Sequence, residues 1–290
     1  MNKVRLFSNY ASSSELLERF LDNYNVDDDS ILFTVYDDYD WAVIFNKTHE
    51  RIKDTAKILT FIQEPTFSPA HFGNNFLIDS DILVIHDQEI FEKTLKIKLR
   101  GEIIEHPSFM WFHDHVNKNF FDNSDKVKKK KKLSMVVSNI YMSVGNYVKR
   151  IELVKKIIQS DLEIDIFGRG LELEDPRYKG ELEYKFAGLL PYEYSIAIEN
   201  SCEPNYLTEK FIDPVLCNTT PIYYGAPNVN EIYPTGGFEL IDLNSPTIIE
   251  DIKSIINKPR DLVALKKSKE YYFDDYNLYL FLKKIICSVL

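Results

Sequence analysis

Short apolar runs alternate along the chain with stretches whose apolar residues recur at helical spacing. The pattern predicts strands at residues 4–8, 31–35, 41–45, 58–62 and 82–85, each short and rich in β-branched or aromatic side chains. It predicts a helix at 13–24, where Leu16, Leu17, Phe20 and Leu21 follow serines able to cap its start. The alternation breaks at a polar stretch and a run of lysines, Lys126 and Lys128 to Lys132, and then restarts. Strands are expected at 134–137, 164–167, 195–198, 220–224 and 238–241, and helices at 148–158, 208–216 and 247–256. Pro214 sits inside the helix 208–216, where a proline kinks or shifts the boundary. Residues 274–290 form a last amphipathic helix carrying Leu278, Leu280, Phe281 and Ile285.

Strands that alternate with helices imply parallel sheets covered on both faces. Two such blocks give an α/β protein of two Rossmann-like parallel-sheet domains. The expected division is 1–125, a lysine-rich linker at 126–133, a second domain at 134–262, and C-terminal helices at 263–290 that pack back across the interdomain region. The rival for the last helix is a weak, peripheral association with a membrane surface, because Lys283 and Lys284 neighbour apolar residues.

Composition narrows the classes. The chain has 290 residues, 44% hydrophobic and 28% charged, an ordinary globular balance. No apolar run is long enough to span a bilayer, and the first twenty residues lack the apolar core of a secretory signal, so a cytoplasmic protein is expected. Three cysteines, Cys202, Cys217 and Cys287, are too scattered for a disulfide framework or a zinc site. The formal charge of −10 argues against nucleic acid as a partner. The charge is uneven: residues 1–125 carry 22 acidic and 12 basic side chains, whereas 126–290 carry 23 of each. An anionic ligand therefore suits the second block better. The lysine run has no interleaved aromatic residues for base stacking and reads as a solvated linker.

The densest chemistry lies between Tyr194 and Pro234. The buried run Ser195–Ile198 ends in Glu199-Asn200-Ser201, a loop carries Tyr206, and Thr208-Glu209-Lys210 opens a helix. A loop at the C-terminal end of a parallel strand leading into a helix is where α/β sheets bind ligands, and free N–H groups there attract phosphate. Lys210 adds a charge for a diphosphate. Asn200 and Tyr206 add hydrogen bonds, and Glu209 can accept from sugar hydroxyls. Thr208 and Glu209 are also ordinary capping and first-turn residues.

Taken together, the stretch resembles the C-terminal donor-binding signature of the α-1,3-fucosyltransferases, glycosyltransferase family 10. It carries Glu199-Asn200-Ser201, Tyr206, Thr208-Glu209-Lys210, Pro221, Gly225-Ala226-Pro227 and Pro234 in that family's order. The segment Ile164 to Gly170 is similar to the family's VDVFGRG. Val136-Val137-Ser138-Asn139 followed by Arg150 is similar to its VSN…R stretch. In the first half, Gln63-Glu64-Pro65 resembles an ESP-containing loop whose glutamate is the family's base. A strict proline-anchored alignment puts Gln63 there, and a one-residue adjustment restores Glu64.

The resemblance implies a GT-B architecture, two domains facing a central cleft, and metal-independent, inverting transfer of L-fucose from GDP-fucose to a glycan hydroxyl. It implies no cofactor and no metal, Glu64 as catalytic base, and Arg150, Asn200, Tyr206, Glu209 and Lys210 as donor-binding residues. The alternatives are another nucleotide-sugar donor on the same fold, or a degenerate glycan- or nucleotide-binding protein.

Other patterns carry less. Asp38-Tyr39-Asp40 is a D-x-D after an apolar run, of the kind metal-dependent glycosyltransferases use, but Asp40 more simply opens the next strand. His113-Asp114-His115 lacks the third and fourth ligands zinc needs. Gly168-Arg169-Gly170 lacks the third glycine of a dinucleotide fingerprint, and no P-loop or G-x-S-x-G is present.

Overall fold

The computed structural model describes residues 2–288 apart from 25, 27–29, 108–115, 117 and 141. His113, Asp114 and His115 lie outside the described residues. The chain divides into two units, and the division is not a single cut. The first comprises Met1–Phe120, Glu203–Thr208 and Phe273–Leu290; the second comprises Phe121–Cys202 and Glu209–Tyr272.

The first unit is built on β1 (Asn2–Ser8), β2 (Ile31–Phe33), β3 (Trp41–Phe45), β4 (Lys57–Phe61), β5 (Ile82–Ile85) and β6 (Glu102–Glu105). They form one sheet in the order β2-β1-β3-β4-β5-β6, every pair parallel. All five residues of β3 and all four of β5 are buried, as strands covered on both faces require. The spacing did not reveal β6, because its two isoleucines are only half buried between exposed glutamates at the sheet edge. The helix Gln88–Leu95 was also hidden. Its start is set by Asp87, whose side chain accepts the Ile90 N–H at 2.8 Å.

The C-terminal helix Leu278–Ser288 completes this unit. Leu278, Leu282, Ile285 and Ile286 recur along one face and sit in one core cluster with Val4, Leu6, Val43, Phe45, Leu59 and Phe61. The apolar stripe that suggested a membrane surface is therefore covered by the sheet of the first unit.

The second unit holds β7 (Lys131–Val136), β8 (Asp165–Phe167), β9 (Tyr192–Ile198), β10 (Thr220–Tyr224) and β11 (Glu239–Leu240). Their order is β11-β10-β9-β7-β8, again all parallel. Helices Tyr147–Ile158 and Ile248–Ile256 bury Leu153, Val154, Ile157, Ile252 and Ile255 against Met135, Ile196 and Ile222. The helix Glu209–Leu216 runs through Pro214. The proline lies in the last turn, so it removes one amide donor, the one that would face the Lys210 carbonyl.

The lysine run is not a linker. Lys131 and Lys132 open β7, and their ammonium groups meet Asp165 and Glu193 on the neighbouring strands, each at 2.7 Å. The same ammonium nitrogens lie 5.4 and 5.2 Å from the ring centres of Tyr192 and Tyr194. Lys129 is spent differently. Its Nζ donates to the carbonyls of Leu190 at 2.8 Å and Cys217 at 2.7 Å, and to Thr219 Oγ1 at 2.9 Å. Burial pushes its pKa down to about 8, with the positive charges of Arg260 and Lys269 acting the same way. Lysines that flank a strand satisfy backbone carbonyls and carboxylates within the unit, which spacing alone could not distinguish from solvation.

Replacing Lys129 by Met strips three acceptors of their donor and is expected to lower stability by about 1–3 kcal/mol. Lys130→Ala, at an exposed position, should stay within about 0.5 kcal/mol of the parent. The folded chain binds fewer protons at Lys129 than the unfolded chain between its lowered pKa and the ordinary 10.5. Stability of the parent relative to Lys129→Met should therefore rise with pH across that window. Denaturant midpoints from pH 7 to 10 check both statements, and equal midpoints for the two variants would refute the buried role.

Candidate functional site

In the order β11-β10-β9-β7-β8, the strands on either side of the β7/β9 pair run outwards in opposite directions. Such a switch point opens a crevice at the C-terminal ends of the strands. The second unit has a cavity of about 410 Å³ there. Its wall includes Ser138 beyond β7, Gly168 and Arg169 beyond β8, and Asn200 beyond β9. Arg150 and Lys210 come from the two following helices.

Local structure explains why these residues meet. The Glu199-Asn200 turn is held by Asn146, whose backbone N–H donates to the Asn200 carbonyl at 2.8 Å and whose Nδ2 donates to the Glu199 carbonyl at 3.1 Å. Asn146 directly precedes the helix Tyr147–Ile158, so the turn after β9 and the helix that carries Arg150 share one anchor. Arg150 is 7% exposed, and its guanidinium lies 4.6 Å from the centre of the Tyr147 ring.

Two glycines make room for the strand ends. A Cβ on Gly168 would lie 1.5 Å from the Val137 carbonyl oxygen, so β8 can leave the sheet here only as glycine. A Cβ on Gly225 would lie 2.3 Å from the Tyr223 hydroxyl and 2.5 Å from Glu199 Cγ. The same Tyr223 hydroxyl accepts the Ala226 N–H at 2.9 Å.

Charge in the cavity is arranged in alternation. Lys210 Nζ is 3.1 Å from Glu209 Oε1 and 3.8 Å from the buried Glu199 Oε2. Lys185 Nζ is 2.5 Å from Asp213 Oδ2, itself 1% exposed, and 3.9 Å from Glu209 Oε1. Burial works to lower both lysine pKa values. For Lys210, Glu209 and Glu199 overcome it; for Lys185, Asp213 and Glu209 do, so both are raised and stay cationic. Glu209 is thus held between two ammonium groups, and Arg150 and Arg169 add two further cations to the wall. Such a lining can bind an anion while presenting a carboxylate to hydroxyl groups.

Four of the five expected donor residues, Arg150, Asn200, Glu209 and Lys210, line this one cavity. Tyr206 does not. It is 1% exposed and belongs to the first unit, its ring 5.2 Å from that of His86. Residues 203–208 leave the second unit between Asn200 and Glu209, so order along the chain could not reveal this. Lys185 was missed. It opens the short 3-10 helix Lys185–Gly188 before β9, where no periodicity or motif marks it.

Glu64 lies in the first unit, beyond the C-terminal end of β4. Gln63 and Glu64 differ sharply in setting. Gln63 is 2% exposed and its N–H donates to Asn46 Oδ1 at 2.8 Å, whereas Glu64 is partly exposed. A group that takes a proton from a substrate must reach it, and of these two side chains Glu64 has the access. Asp38 and Asp40 belong to the opposite, N-terminal end of the strands. Asp38 pairs with the Lys3 ammonium, and Asp40 Oδ2 accepts the Lys3 N–H at 2.9 Å, fastening the start of β1. Among the described residues no three His, Cys, Asp or Glu side chains are grouped to hold a metal ion.

Comparison with known proteins adds three findings. Residues 126–276 match the family model described as glycosyltransferase family 10 (fucosyltransferase) C-term. Among curated proteins, alpha-(1,3)-fucosyltransferase B of Drosophila melanogaster is 33% identical over 93 residues, 29% of this chain and 21% of that protein. GDP-fucose protein O-fucosyltransferase 3 of Rattus norvegicus is 24% identical over 126 residues, 41% of this chain and 24% of that protein. The matched segments thus span about a quarter or less of those relatives. A crystal structure of an alpha1,3-fucosyltransferase is similar with a TM-score of 0.52 and 17% identity, covering 99% of this chain and 88% of that one. That likeness gives the two parallel-sheet units the GT-B fold. The matched family segment covers more than half of the chain and contains the whole cavity wall, and the chain belongs to glycosyltransferase family 10.

Proposed function

We propose that the protein is an inverting, metal-independent fucosyltransferase that transfers L-fucose from GDP-fucose to a hydroxyl of a glycan. The observation that carries the reading is the convergence of Arg150, Asn200, Glu209 and Lys210 on one cavity at the switch point, inside the segment that matches the family. In this reading the diphosphate lies against Arg150 and Lys210, and Glu209 and Asn200 take hydrogen bonds from the donor.

The chemistry asks for two things. As the acceptor oxygen bonds to C1 of the sugar, the C1–O bond to phosphate breaks and the electron pair leaves with GDP. Negative charge grows on the β-phosphate, and fixed cations already in place stabilise it without reorganising. Arg150 and Lys210 are those cations, which is the role a divalent ion fills in other glycosyltransferases. The acceptor hydroxyl must also lose its proton as the new bond forms, and Glu64 takes it.

Two predictions separate binding from chemistry. Lys210→Ala and Arg150→Ala should each weaken GDP and GDP-fucose by about 10–100-fold, the range for one charged hydrogen bond. Calorimetric titration measures this, and unchanged affinity for Lys210→Ala would remove the diphosphate role. Titration of GDP-mannose and UDP-sugars in parallel tests the donor. Glu64→Gln should lower the transfer rate by about 10²–10⁴-fold while GDP-fucose affinity stays within about twofold. Gln63→Ala is the control and should keep most of the rate.

Transfer should persist in excess EDTA. A strict Mn²⁺ requirement would mean that the lysine and arginine charges are not enough. The acceptor panel should contain oligosaccharides and serine/threonine peptides, and transfer to peptides alone would overturn the glycan assignment.

A further inference from the structure

The turn that carries Glu64 is held by backbone and side-chain groups together. The ladder of β4 continues one residue past the strand, with the Ile62 N–H donating to the Val84 carbonyl at 2.9 Å. Beyond it, the Ser68 N–H donates to the Pro65 carbonyl at 2.8 Å, and side chains supply further contacts. Asn46 Oδ1 accepts the Gln63 N–H, Pro65 has no N–H, and the Pro65 carbonyl is 2.9 Å from His71 Nε2. The Thr66 N–H donates to Glu203 Oε2 at 3.2 Å. Residues on both sides of Glu64 are therefore fixed by groups that come from elsewhere in the unit.

Glu203 is the most distant of these in sequence. It is 8% exposed, and a carboxylate so buried needs compensating donors. One is the Thr66 N–H, and His86 Nε2 lies 2.9 Å from the same oxygen. His86 follows β5, the neighbour of β4, and is fully buried. Its ring is flanked by Phe91, with centres 4.8 Å apart, and by Tyr206 at 5.2 Å. Its carbonyl accepts the Asn205 Nδ2 at 2.8 Å, and Asn205 adopts a left-handed backbone with φ of 60°. The six residues Glu203–Thr208 thus grip His86 from three sides and present Glu203 to the Thr66 amide. This gives Tyr206 a task, which is to fix His86.

We propose that Glu203 is a positioning residue for Glu64, its carboxylate, packed against His86 at the end of β5, accepting the Thr66 amide and so fixing the turn that carries the base. The inference rests on the reading of Glu64 as base. Glu203 forms no part of the second unit's cavity wall, so its loss should leave donor binding untouched. A base displaced by about 1 Å can lose on the order of 10²-fold in rate.

The test is a double-mutant cycle in single-turnover transfer assays with Glu64→Gln, Glu203→Ala and the double variant, alongside GDP-fucose titration. Glu203→Ala should lower the rate about 10–100-fold with affinity within about twofold. Added to Glu64→Gln, it should lower the rate no further, because a base that is already gone cannot be misplaced. An equal further loss in the double variant, or an unchanged rate in Glu203→Ala, would overturn the inference while leaving the base assignment standing. A normal rate in Glu64→Gln would overturn both. Should Glu203→Ala fail to fold, Glu203→Gln retains an acceptor oxygen for Thr66. The same cycle then expects a loss of about threefold to tenfold that vanishes in the Glu64→Gln background. Additivity there overturns the inference equally.

Discussion

A parallel sheet opens a crevice only where adjacent strands send their following chain to opposite faces, and the second unit meets that condition between β7 and β9. The helix after β7 packs on the face that holds Ile196 and Ile222. The helix after β9 packs on the other, where Phe211 meets Tyr223 with ring centres 5.0 Å apart. Side chains alternate along β10, so neighbours 222 and 223 mark opposite faces. Everything described for the cavity follows from this divergence. Two helix starts, two strand ends and the glycine at 168 reach the same space because the chain parts there.

The cavity would be a poor place for so much charge if its members were not matched. Two lysines, two arginines and three carboxylates stand close together, several of them buried. An isolated buried ion is very unfavourable, whereas here lysines and carboxylates alternate at 2.5–3.9 Å. Glu209 and Glu199 raise the Lys210 pKa against burial, and Asp213 and Glu209 raise that of Lys185, so both lysines stay cationic. Asp213 has a role in this array without facing the cavity: it pairs with Lys185 at 2.5 Å.

The sequence made the alternation of strands and helices readable because buried parallel strands are nearly unbroken apolar runs, as at Trp41–Phe45 and Ile82–Ile85. It hid β6, whose edge position tolerates Glu102 and Glu105. The motif residues on the turn after β9 and on the next helix could be placed, since strand ends and helix starts fix direction. Tyr206 could not be placed, because nothing local shows that the chain leaves the unit at Glu203 and returns at Glu209. Lys129 was misread for a related reason. A lysine whose partners are the carbonyls of Leu190 and Cys217, 61 and 88 residues away, looks the same in sequence as one in water.

The burial of Leu278, Leu282, Ile285 and Ile286 beside β1, β3 and β4 has a consequence for how the molecule is made. A ribosome delivers the strands of the first unit well before the helix that covers them. During that interval Leu16, Phe20 and Tyr24 already share the cluster of Val4, Leu6, Val43 and Phe45, the cover from Leu278 to Ile286 is still missing, and the second unit is synthesised in the meantime. Contacts that close across nearly the whole chain form late and slowly. The nascent first unit therefore waits with part of its apolar cluster uncovered until the helix Leu278–Ser288 is made.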